Sequence, residues 1–324
     1  MTKKIISVLF VLMLITPMMF VFVEKFDGKE FPEECSLTDL PTFTESFETL
    51  DTCISENFGL RDRFIYLNAL KDYYLFSSSS NLDVVSGKSR WLFLASTYRS
   101  PHVPEEQLDQ LAQKLKYTQT NLEQRGAKFI FVLVPDKKSI YPEHTLKRFS
   151  YFDTINYETL MISLDIYDVN HTDLQSIFEA ERTRQDQTLL YSKQDSHWNR
   201  HASYIAYREI LRKLDLKTPE TTETAEYQRE GDLARMIGIG GEETTLEPVI
   251  KNPNTKSFTQ AYVFYDSFGL GLLPFFEKDF MRIGSSHIKE TLDGWNKLLR
   301  EAKDSQLVIL QIAERDIPFL VENF

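Results

Sequence analysis

Two cysteines in 324 residues, Cys35 and Cys53, exclude a disulfide-dense mini-domain, and no Cys-His cluster has zinc-ligand spacing. Positive charge is the minority sign. There are 37 Lys and Arg against 48 Asp and Glu, a net charge of -11, so the basic footprint of a nucleic-acid binder is missing. Neither the glycine fingerprint of a dinucleotide fold nor a phosphate loop occurs, and no internal repeat is evident. What is present is apolar content of 42%, enough for a sizeable core and too much for general disorder. The length suits one large domain or two modest ones.

The one long apolar run is at the start. Lys3 and Lys4 precede residues 5–23, interrupted only by Ser7, Thr16 and Pro17. At helical rise that run covers about 28 Å, close to the hydrocarbon thickness of a bilayer. It ends in large residues rather than a small-x-small cleavage site, so residues 1–24 read as a signal anchor in preference to a cleaved signal peptide. The lysines would stay in the cytoplasm, leaving residues 25–324 extracytoplasmic, periplasmic or at the cell surface. Residues 25–48, rich in Pro, Glu and Thr, read as a juxtamembrane connector, and 49–324 as the functional domain. In an exported chain Cys35 and Cys53 are expected to pair.

Within the domain, strand-like and helix-like segments alternate. Residues 49–76 read as mostly helical and 81–94 as strand-like with a turn at 86–88. Leu108, Leu111, Leu115 and Leu122 make an apolar stripe along a helix over 104–125, ended by Gly126. Residues 128–134 form a continuous apolar run, the pattern of a buried parallel strand. Further helices are predicted over 155–162, 174–182 (capped by Asp173), 202–214 and 286–302. Strands are predicted over 164–169, 261–265 and 307–312, and 217–230 reads as a solvated loop. The rhythm predicts a three-layer α/β domain with a mostly parallel sheet.

Two segments carry chemistry. Strand 261–265 stops on Asp266-Ser267-Phe268, where a helical turn begins. A serine on that corner is lifted out of the sheet, and free N–H groups of the turn can receive a developing oxyanion. An ordinary N-cap serine would look the same. The second segment is Asp195-Ser196-His197-Trp198-Asn199. In an extended stretch residues two apart point to one side, so Asp195 can hold the His197 tautomer while His197 takes a proton from Ser267. Asn199 caps the next helix or adds an N–H donor. A surface histidine beside a helix cap is the plainer reading.

Taken in order, Asp195-x-His197-Trp198, Gly231-Asp232-Leu233 and strand-Asp266-Ser267-Phe268 resemble the alginate O-acetylation proteins of the AlgX/AlgJ type, within the SGNH hydrolase-like superfamily. The segments Asn57-Phe-Gly-Leu-Arg-Asp62, Gly87 with Trp91-Leu-Phe93, Pro135-x-Lys137 with Tyr141-Pro142, and Val308–Ile312 with Glu314-Arg315 extend the likeness over roughly residues 50–320. The resemblance implies an SGNH-like fold with Ser267 as nucleophile, His197 as base and Asp195 as orienting acid. It implies O-acetyl transfer to an exported polysaccharide, with no cofactor or metal and a multi-spanning membrane acyltransferase delivering the acetyl group. An O-acetylesterase and a non-catalytic glycan-binding assembly protein are the alternatives. One position departs: where the family reads Gly-Asp-Ser-Phe, this chain has Tyr265. Tyr265 is thereby a candidate for shaping the oxyanion site or substrate preference, and Arg61, Lys137 and Arg315 are candidate substrate anchors or structural cations.

Overall fold

The computed structural model describes residues 6, 7, 10–12, 15, 61–146, 155–184, 188–217, 221–240, 242–250, 258–290 and 294–323. The chain divides into two units, residues 1–75 and 76–324. Among the described residues of the first unit is the helix Arg61–Leu75. The Arg61 side chain, Cys35, Cys53 and the connector over 25–48 lie outside what is described.

One expectation is corrected here. Among the described residues, no helix is long and apolar enough to cross a membrane. Of the apolar run only Ile6, Ser7, Phe10, Val11, Leu12 and Ile15 are described. The expected transmembrane helix, the membrane-anchored location and the attachment to a membrane partner through that helix therefore find no span among the described residues.

The second unit begins with an antiparallel pair, β1 (Val84–Ser86) and β2 (Leu92–Leu94), Val84 opposite Leu94. Its centre is a parallel sheet of β3 (Lys128–Val134), β4 (His171–Asp173), β7 (Phe258–Tyr265), β8 (Phe280–His287) and β9 (Leu307–Ala313). The order is β4-β3-β9-β7-β8. A second antiparallel pair, β5 (Thr221–Glu230) and β6 (Glu242–Ile250), stands apart from this sheet.

Side-chain alternation explains the layers. Ile130, Val132 and Val134 of β3 and Ile309 of β9 pack with helices Leu174–Arg182, Arg200–Lys213 and Gly269–Asp279. Phe129, Phe131 and Leu133, with Val308 and Leu310, face helices Glu105–Glu123, Ile155–Ile166 and Ile317–Asn323 on the other side. Every residue of β9 is buried, as a strand covered on both faces must be. The expected three-layer α/β fold with a mostly parallel sheet is thus present, and among the described residues no membrane-crossing helix accompanies it.

Three local expectations differ from the structure. Residues 164–169 end a helix instead of forming a strand. Val169 N–H donates to the Leu164 carbonyl at 2.9 Å and Asp168 N–H to Asp165 at 3.1 Å, with Asp168 at φ 52. That is the cap Gly126 makes at φ 81, here on a residue whose short polar side chain tolerates the left-handed region. Residues 221–230 are β5 rather than loop, because alternating Thr in a Thr/Glu run favours extended chain. The stretch expected to be helical from 286 begins as the end of β8, and the helix is confined to Gly294–Glu301.

Candidate active site

The return of β9 between β3 and β7 makes the carboxyl edge of these three strands the switch point of the sheet, where open α/β folds place ligands. Ser267 lies in the turn between β7 and helix Gly269–Asp279, half-buried. Asp266, 1% exposed, fixes that turn. Its carboxylate accepts from Phe268 N–H at 2.9 Å, from the Gln311 amide at 2.9 Å and from Ala313 N–H. Asp266 therefore ties β7 to β9. Gly269 N–H donates to the Asp266 carbonyl at 2.9 Å. The turn's N–H groups at Phe268 and Gly269, expected to receive an oxyanion, are thus engaged internally.

The loop carrying Asp195 and His197 is pinched by a bridge between Tyr191 and Trp198. Three other elements hold it. Lys137, 3% exposed, donates to the carbonyls of Ser192, Lys193 and Asp195 at 3.1, 3.2 and 2.6 Å. Leu92 of β2 donates to Lys193, and Leu233 and Ala234 to Gln194. Asn199 Oδ1 accepts from Ala202 N–H at 3.0 Å and caps helix Arg200–Lys213. Lys137 and Asn199 are thereby positioned as structural residues, although Asn199 also borders the cleft.

These elements bring the three expected residues together. His197 Nε2 is 2.9 Å from Ser267 Oγ, and Nδ1 is 3.1 Å from Asp195 Oδ1. Asp195 Oδ1 also accepts the His197 backbone N–H at 2.8 Å, which locks the turn. Trp198 Nε1 donates to the Phe268 carbonyl at 3.0 Å, joining the histidine loop to the serine turn. The Phe268 ring sits 5.0 Å from the imidazole.

A second carboxylate, not picked out as a site residue from sequence, reaches the same imidazole. Asp232 Oδ2 is 3.4 Å from His197 Nδ1. Gly231-Asp232-Leu233 was the only signal for it, since the contact spans distant parts of the chain. Burial alone would lower the His197 pKa. Its hydrogen bonds to Asp195 and Asp232 outweigh that and raise it to about 9. Burial likewise pushes Asp232 up, but hydrogen bonds from His197 and Ser196 hold it well below the usual carboxylate range. Asp195, His197 and Asp232 each bring one ligand-type atom within 4.8 Å of the others. The distances to Nδ1 suit an N–H shared by two carboxylates, whose proton fills the space between them.

The dyad opens on a cleft of about 370 Å³ lined by His197, Ser267, Arg200, Gln228, Arg229 and Leu270, among others. Arg229 comes from β5 and its Nε lies 3.4 Å from Asp195 Oδ2. Tyr265 is not among the cleft-lining residues. Its ring lies 5.8 Å from that of His287, and a Cβ added at Gly269 would meet the Tyr265 Cβ at 2.3 Å. Gly269 thus makes the room that Tyr265 occupies. Arg315 is also away from the cleft. It pairs with Asp136 at 3.1 Å and lies 4.9 Å over the Phe268 ring.

The chain is 23% identical over 245 residues to the probable alginate O-acetylase AlgJ of Pseudomonas syringae pv. tomato, covering 67% of this chain and 58% of that protein. It is 22% identical over 218 residues to the namesake of Pseudomonas aeruginosa, covering 63% and 53%. The chain therefore spans little more than half the length of these curated relatives. In fold it resembles the structure of Bacillus cereus PatB1, with a TM-score of 0.55 and 13% identity over 72% of this chain and 96% of that one. Residues 84–307, more than half the chain, match the family described as SGNH hydrolase-like domain, acetyltransferase AlgX, and the protein belongs to that family.

Proposed function

We propose that this protein transfers acetyl groups to hydroxyls of a polysaccharide through an acetyl-serine intermediate on Ser267. The observation that carries the reading is the contact of His197 Nε2 with Ser267 Oγ at 2.9 Å, with Asp195 on the opposite ring nitrogen. Neutral His197 takes the Ser267 proton as Oγ attacks the donor carbonyl. The imidazolium then returns the proton to the leaving group. In the second half a sugar hydroxyl gives its proton to His197 and attacks the acetyl carbon, and Ser267 leaves and regains its proton. Negative charge on the carbonyl oxygen develops in a cleft whose lining includes Arg200, Gln228 and Arg229, so these side chains are the candidate stabilisers. The polysaccharide comes from the relatives named alginate O-acetylase and is part of the proposal.

Incubating the full chain with 4-nitrophenyl acetate and unacetylated bacterial polysaccharide fragments tests this. An acetyl mass shift on Ser267, chased onto a fragment, is expected, and Ser267→Ala should abolish both. Acetylation of S267A at the wild-type rate overturns the serine mechanism. Acetate release undiminished by any fragment replaces transfer with ester hydrolysis.

A further inference from the structure

Asp232 stands where a second hydrogen-bond partner of the histidine would stand. It opens the short helix Asp232–Met236, whose N–H groups at Leu233 and Ala234 hold the Gln194 carbonyl. Its Oδ1 accepts Ser196 N–H at 2.6 Å and its Oδ2 accepts the Ser196 hydroxyl at 2.5 Å. The same Oδ2 lies 3.4 Å from His197 Nδ1. Asp195 Oδ1 reaches that nitrogen at 3.1 Å, so one N–H faces two carboxylates. The Ser196 hydroxyl, 3.3 Å from Nδ1, closes the ring of contacts.

We propose that Asp232 is a positioning residue of the active site, sharing the Nδ1 proton of His197 with Asp195 and holding, through Ser196, the turn that aims Nε2 at Ser267. The inference rests on the function proposed above only for its consequence in catalysis; the proton arrangement stands on the geometry alone. Two carboxylates on one imidazole stabilise the imidazolium more than one does. The resting histidine is then protonated at neutral pH and cannot accept the Ser267 proton until it loses its own. The other charged groups that bear on it do not cancel this. Arg229 contacts the far oxygen of Asp195, Arg200 lines the same cleft, and Lys137 binds the Asp195 carbonyl. Arg315, beyond the Phe268 ring, pairs with Asp136. The cations nearest the Asp195 carboxylate thus contact oxygens other than the one on Nδ1.

The consequence is a base-limited site whose pH dependence is set by Asp195 and Asp232 together. Acetylation of Ser267 should rise with pH through a midpoint near 9, the value the two carboxylates give His197, and level off only above it. Asp232→Asn keeps the shape and the acceptor for Ser196 but removes the charge. The midpoint should fall by about one pH unit or more, within the range a neighbouring charge produces. D232N should therefore be closer to its plateau than wild type at pH 7. Asp232→Glu, which restores the charge, should move the midpoint back.

The test is an NMR pH titration of the His197 ring in the full chain, wild type first, beside the pH profile of Ser267 acetylation by 4-nitrophenyl acetate. A wild-type His197 that titrates below pH 7.5 overturns the proposal, whatever any variant does. So does a folded D232N protein with an unmoved His197 midpoint, which would leave Asp232 as a cap for the Ser196 turn. If Ser267 never acetylates while His197 titrates as expected and shifts in D232N, the catalytic reading fails and the shared proton survives.

Discussion

Phe268 touches two charge clusters, and burial treats them differently. On one side Arg315 lies over its ring and pairs with Asp136, which is 1% exposed. Glu314 accepts from Asp136 N–H at 2.9 Å and from the Ser139 hydroxyl at 2.7 Å, with Lys138 4.0 Å from its other oxygen. Phe268 also meets the His197 ring, which is flanked by Asp195 and Asp232 at a cleft. In the sealed cluster desolvation dominates, and burial raises Asp136 to about 7 despite Arg315. At the cleft, hydrogen bonds prevail over desolvation, so Asp232 stays ionised and His197 is charged. Charged groups thus clamp strand ends where they are fully buried, and in the proposed site flank a histidine where they border a cleft.

The sharpest way to break the comparison is at Asp195. Asp195→Asn should lower Ser267 acetylation steeply, by roughly 10⁴-fold at the limit, because an amide cannot hold the imidazole tautomer that a carboxylate holds. Single-turnover acetylation measures it. A D195N rate like wild type would reduce Asp195 to a loop acid. The matching change in the sealed cluster is Arg315→Met. Leaving Asp136 buried without its cation should cost about 3–5 kcal/mol of stability. Urea unfolding at two pH values sharpens this. The loss should be larger at pH 8 than at pH 6, where more of Asp136 is protonated and needs no cation.

A smaller effect comes from His197 itself. Its folded pKa lies above its unfolded value, so its contribution is fully present below about pH 6.5 and is lost as pH rises through about 9. The contribution is at most about 3 kcal/mol. The stability advantage of wild type over His197→Gln should therefore shrink between pH 6.5 and 9.5. An advantage constant over that range would show that the carboxylates do not favour the imidazolium.

The central strands were legible in the sequence because both of their faces are apolar. β3 and β9 need no alternation to be seen, and their flanking helices carry clear stripes. The edges were not. β8 exposes Met281 and Arg282, and β5 is a run of Thr and Glu, so neither bears the mark of burial. The segment ending at Val169 misled because Leu164 and Val169 are both buried, yet by a helix cap. At the site, Asp195, His197 and Ser267 could be picked out by residue type and local spacing. Asp232 could not, because its claim rests on where helix Asp232–Met236 docks against Gln194. Asn199, Lys137 and Arg315 were visible as polar residues near motifs, but only their partners show that they hold loops, caps and strand ends.

The pairing of Tyr265 with Gly269 bears on the order in which this sequence can be altered. A methyl group at 269 would stand 2.3–2.8 Å from the Cβ and ring of Tyr265, so the two positions do not vary independently. A library that replaces Gly269 while keeping Tyr265 should lose most members to steric conflict at the turn bearing Ser267. Exchanging Tyr265 for glycine first opens that space and makes side chains at 269 admissible. In the reverse direction, a tyrosine can enter at 265 only after 269 has already lost its side chain. The mutational path between a glycine and a tyrosine before Asp266-Ser267 thus runs through the first turn of the following helix, and any transplant of this corner into a relative has to carry both residues.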